Sequence, residues 1–142
     1  MRRQIRPGAA LRCVLFVLTL AAAASAAEWN PAGWQAQDTL ELRTIDPGDA
    51  PHWSPVWLVV LDGQLYVRLG SRAAGRIERN QGGMTIGVRI AGQEFDQVKV
   101  VPVPAQADAV AAAMAAKYWS DVFVHYFSHP LTARLEPTAS GG

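Results

Sequence analysis

The sequence predicts a mainly β protein: a small six-stranded antiparallel barrel with one flanking helix. Three observations lead there. Six short runs alternate apolar and polar residues, the pattern of half-buried strands. Asp62-Gly63 and Ala91-Gly92-Gln93 join two pairs of those runs as tight turns, so hairpins predominate. One convincing helical stretch comes late in the chain, placed to plug or flank a small barrel.

The N-terminus stands apart from this fold. Arg2, Arg3, Arg6 and Arg12 form a basic region, and Val14 to Ala24 is an apolar stretch of signal-peptide length. Ala22 to Ala27 supplies small residues for a signal peptidase, so residues 1–27 are expected to be a signal peptide, residues 28–137 the domain and 138–142 a disordered tail. The expected location is periplasmic or secreted, with no membrane association after cleavage. Four of the 13 basic residues leave with the signal, so nine face 12 acidic residues and the formal +1 becomes −3. A mildly acidic domain argues against nucleic acid as a partner. The single cysteine, Cys13, lies in the signal, which excludes disulfides and thiol chemistry from the mature chain.

Along the domain, Glu28 to Gln37 is an ordered lead-in whose Trp29 and Trp34 cover one end of the core. Thr39 to Ile45 alternates Leu40 and Leu42 against Glu41 and Arg43, and reads as a strand. Asp46 to Pro55, with three prolines, reads as a loop. Val56 to Leu61 and Leu65 to Leu69 form a hairpin around Asp62-Gly63, the second strand setting Leu65, Val67 and Leu69 against Tyr66 and Arg68. Gly70 to Asn80 reads as a glycine-containing basic loop. Thr85 to Ile90 and Glu94 to Val103 make the second hairpin; a change of phase between Phe95 and Val98 predicts a bulge, and Pro102 and Pro104 an edge. Ala105 to Trp119 is the helix, with Asp108 and Lys117 suiting its macrodipole and Val110, Met114 and Tyr118 as its packing stripe. Leu131 to Glu136 is the last strand.

The segments PVWLVVLDGQLYVR, AAMAAKY and LTARLEP, in that order and spacing, resemble an uncharacterised split-barrel family. It lies in the superfamily of pyridoxamine phosphate oxidases and deazaflavin-dependent nitroreductases, and the likeness spans residues 38 to 137. The resemblance implies a homodimer holding FMN or a deazaflavin in an interfacial groove. It also implies that the cofactor phosphate meets basic and hydroxyl residues following the strand of Tyr66, matched here by Arg68, Ser71, Arg72 and Arg76.

Read from the residues alone, the Arg68 to Arg79 cluster is either an anion site or a solvated charged loop paired with Glu78. Arginine's planar fork suits phosphate, and four arginines gather there in an otherwise acidic domain. His125 and His129 are four apart, but Pro130 disfavours a helix at His129, and they read as structural or surface histidines rather than metal ligands. Asp46, Asp49 and Asp62 sit in turns, and no serine has a nucleophile-elbow context. Any chemistry would therefore be a cofactor's. Two functions fit a small-molecule ligand: a flavin- or deazaflavin-dependent oxidoreductase, and a non-catalytic envelope module for a small anionic ligand or haem. A third, an interaction protein, predicts no ligand.

Overall fold

The computed structural model describes residues 27–45, 48–80, 86–118 and 131–138. The residues up to 26, expected to belong to a signal peptide, the His125 and His129 segment and residues 139–142 lie outside them. Six strands form a closed antiparallel barrel: β1 (Thr39–Thr44), β2 (His52–Leu61), β3 (Gln64–Leu69), β4 (Ile86–Ile90), β5 (Gln93–Pro102) and β6 (Leu131–Pro137). Their order around the barrel is β1-β2-β3-β6-β5-β4, closed by pairing of β1 with β4.

The mainly β barrel and all six strands are as the alternation predicts. Both hairpin turns carry positive φ at two successive residues, Asp62 (49°) with Gly63 (72°) and Ala91 (49°) with Gly92 (75°). This is the backbone that matches the twist of flanking strands. The expected bulge is present: Ile86 pairs with Val98 but Val88 with Phe95, so β5 carries one more residue than β4 across that step.

Inward side chains of every strand, among them Leu40, Leu58, Leu65, Val67, Val88, Val98 and Leu135, fill the barrel. Trp29, Trp34 and Phe95 close one end as mutual edge-to-face contacts, with ring centroids 5.1 to 5.6 Å apart. Trp34 sits in a short 3-10 turn, Pro31–Trp34, capped by Asn30.

Three expectations are corrected. Residues 70–80 are not a loop: Ser71–Asn80 is a helix, α1, so the described residues hold two α-helices rather than one. Its Ala74 and Ile77, three apart, are buried in the barrel cluster, which stabilises the helix despite Gly75. The loop before β2 is shorter than expected, because His52 to Pro55 already pair with β1. Pro55 is tolerated there: Leu58 N–H donates to Asp38 O, so the alternation turns the Pro55 nitrogen away from β1, to the side where no β3 residue pairs. Nor does β5 end at an edge, since it pairs with β6 through Pro102. Val103 N–H bonds Thr132 O, so the missing donor of Pro102 faces away from β6, past the end of the β4 ladder.

Helix α2 (Ala107–Lys117), preceded by a 3-10 turn at Pro104–Gln106, lies on the outside of the barrel. Its Val110 and Met114 pack on Val59 of β2 and Tyr66 of β3, with Tyr118 beside them, as the stripe predicts.

Candidate functional site

The site lies where the first hairpin opens. β2 and β3 pair from Leu61↔Gln64 to Leu58↔Val67 and no further. Beyond that point β2 follows β1, and β3 follows β6 through Arg68↔Thr132 and Leu69↔Leu131. Between the diverging strands is a groove of about 340 Å³, walled by Pro55, Val56 and Trp57 of β2, Arg68 and Leu69 of β3, Ala73 of α1 and Met114 of α2. That volume suits a small organic ligand.

Alternation decides what the groove presents. Leu65, Val67 and Leu69 point into the barrel, so Tyr66 and Arg68 point out. Tyr66 is covered by α2; Arg68, one step further, emerges in the groove instead. Its Nε is buried and has no hydrogen-bond partner among the described residues. A buried donor left this way costs about 1–3 kcal/mol, so its persistence calls for a reason. Other arginines contrast with it. Arg43 reaches Asp96 at 3.0 Å, Arg89 reaches Glu94 at 2.8 Å while lying 3.8 Å over the Trp53 ring, and Arg134 reaches Glu136 at 2.5 Å.

Of the residues expected to form an anion site, the structure sets Arg68 in the groove and puts Ser71 and Arg72, both exposed, on the first turn of α1. Gly70 and Ala73 bring that turn to the groove wall. Arg76 is one turn further on and half-buried. Arg72, Arg76 and Arg79 share one helical face, opposite Ala73, Ala74 and Ile77. Arg76 and Arg79 are both engaged by interactions within the protein. Arg68 and the first turn of α1 are therefore together, and Arg76 stands behind them.

The far side of the groove is held by the C-terminal end of α2. Lys117 Nζ donates to Gln37 O and, at 3.3 Å, to Leu58 O. Tyr118 Oη lies 2.7 Å from both Asp38 O and Leu58 O, its one proton serving one of them at a time. Burial pushes the Tyr118 hydroxyl up to about 12. Burial also holds Lys117 below its ordinary value, against the pull of Asp38. Trp57 stacks on Tyr118 with centroids 5.3 Å apart and planes at 20°.

Trp57 and Met114 are the groove residues that reading the sequence for chemistry missed. Met114 had every mark of ordinary packing, and Trp57 sits mid-strand. The available signal was parity: Trp57 shares the outer face with Val59 and Leu61, which α2 covers. Among the described residues no cluster of three His, Cys, Asp or Glu could hold a metal, and no helix is long and apolar enough to cross a membrane. No protein-family model and no curated protein matches the chain.

Proposed function

We propose that the protein binds a small planar cofactor carrying an anionic group, FMN or a deazaflavin, in the groove between β2 and β3. The observation that carries this reading is the buried Nε of Arg68, without a hydrogen-bond partner among the described residues, at the point where β2 and β3 diverge. An anion there would complete the guanidinium's bonding and would also face the N-terminal turn of α1, whose free N–H groups favour negative charge. Arg68, Ser71 and Arg72 are the residues that would hold a phosphate, with Arg76 adding longer-range attraction. The apolar wall of Val56, Trp57 and Met114 suits the ring system. The resemblance to the pyridoxamine phosphate oxidase and deazaflavin-dependent nitroreductase superfamily supports the same ligand class, and the closed six-stranded barrel is compatible with it.

When bound, such a cofactor supplies hydride or electron transfer; the chain's own residues bind and orient it. One observation favours the second reading, a non-catalytic envelope module for a small anionic ligand or haem. None of the described residues lining the groove is an Asp, Glu, His, Cys, Lys or Tyr, so none can exchange a proton with a substrate near neutral pH. Export after loss of residues 1–27, and assembly as a homodimer, belong to the same proposal. Intact mass and sedimentation of the exported protein test both.

The deciding measurement is titration of the mature protein with FMN and with riboflavin, which lacks the phosphate. FMN binds at least about tenfold tighter, since a charge-assisted contact is worth roughly 1.5–3 kcal/mol. Arg68→Met or Arg72→Ala removes that advantage and leaves riboflavin unchanged. Equal affinity of the wild type for both ligands overturns the anion site.

A further inference from the structure

We infer that Trp57 selects the ligand of this groove, by offering a fixed indole face on which a planar aromatic ring stacks. The inference rests on the reading of the groove as a ligand site and adds what class of molecule it accepts. One step beyond the last β2–β3 pair, Trp57 and Arg68 come side by side on the outer face of the barrel, one aromatic and one cationic. Trp57 is 40 % exposed, as much as any large apolar side chain among the described residues. An indole left that open in a groove wall, rather than covered by α2 like Val59, is available for contact.

Its orientation is not free. One face rests on the Tyr118 ring, and the Tyr118 hydroxyl reaches the carbonyl of Leu58, the residue next to Trp57 in the chain, as well as that of Asp38. Lys117 reinforces the same carbonyl. The indole is thus set before any ligand arrives, and a rigid aromatic contact loses little entropy on binding. Stacking rewards any ring with a π face, regardless of its substituents, whereas Arg68 rewards any anion. Together they select a planar aromatic that carries a negative group over an aliphatic phosphate or a neutral ring.

Three probes separate the two contributions: FMN, riboflavin and glycerol 3-phosphate, titrated into wild type, Trp57→Leu and Trp57→Phe. Trp57→Leu weakens FMN and riboflavin by the same factor, about tenfold or more, and leaves glycerol 3-phosphate unchanged. The ratio of FMN to riboflavin affinity is preserved, because Arg68 is untouched. Trp57→Phe keeps a smaller π face and falls between, which also covers the case in which the leucine variant folds poorly. Bound flavin shows strong fluorescence quenching in the wild type that is reduced in Trp57→Leu at saturation. Flavin affinities unchanged in Trp57→Leu overturn the selector role while leaving the anion site standing. Equal binding of FMN and riboflavin by wild type, both weakened in Trp57→Leu, overturns the anion site and leaves the selector. Binding of none of the three probes by wild type overturns both.

Discussion

Two hairpins in this barrel begin from the same turn and end differently. At Asp62-Gly63 and at Ala91-Gly92 the chain reverses through two residues of positive φ. The β4–β5 hairpin absorbs its mismatch in a bulge between Phe95 and Val98 and stays in the ladder as far as Ile86↔Val98. The β2–β3 hairpin instead stops pairing at Leu58↔Val67 and opens into the groove. The turns are equivalent, so turn chemistry does not decide whether a hairpin closes. What differs is what packs beside it. Lys117 and Tyr118 draw the Leu58 carbonyl toward α2 and the entry to β1, while Gly70 starts α1 and ends β3. A bulge spends one extra residue to keep a sheet closed; a clamp and a helix start hold one apart.

The largest test of that contrast is Leu58→Ala. Leu58 is fully buried in the last pair before the split, and its truncation should cost about 2–5 kcal/mol in denaturant unfolding. A loss under about 1 kcal/mol would mean that the groove's inner end is not pinned there. Next, Gly63→Val and Gly92→Val should each cost about 1–2 kcal/mol. No neighbour lies within 4 Å of an added Cβ at either, so the cost is that of positive φ. Similar losses in the two melting curves confirm that the turns are equivalent; an unchanged Gly63→Val melt counts against the turn itself.

The clamp has a pH signature. Tyr118 at about 12 lies above its ordinary 10.0, so the folded state keeps a proton that the unfolded state has lost between those values. Its stabilisation is full below pH 10 and is lost as pH rises toward 12. Lys117, shifted downward from 10.5, works the other way below its ordinary value, so the net fall shows above about pH 10.5. Because the ring is partly exposed, the discounted size is about 1 kcal/mol. Urea unfolding at two alkaline pH values, in wild type and Tyr118→Phe, reads it; the phenylalanine variant lacks that share of the slope.

The smallest effect is a reversal of sign. Arg68→Met, without ligand, should leave the melting midpoint unchanged or raise stability by up to about 1 kcal/mol, because it removes a buried donor that has no partner among the described residues. Arg43→Met, which breaks the contact with Asp96, should lower stability by a few tenths of a kcal/mol. A clear loss in Arg68→Met would mean that the guanidinium serves the fold rather than a ligand.

By itself the sequence determined the strands, both turns and the bulge, because period-two alternation and positive-φ turn residues are local signals that neighbouring structure reinforces here. It also determined that Arg68 leaves the core, since parity follows from Val67 and Leu69 alone. Helix α1 was legible only in part. Gly70, Ser71 and Gly75 argue for a loop, and the helix survives because Ala74 and Ile77 find a barrel to pack on, which no local propensity reports. The groove belongs to tertiary structure altogether. Trp57 and Arg68 are 11 positions apart in the chain, and Met114 is 46 beyond Arg68. They converge because two strands that share a turn are drawn to different partners, a competition settled only when β1, β6 and both helices are in place.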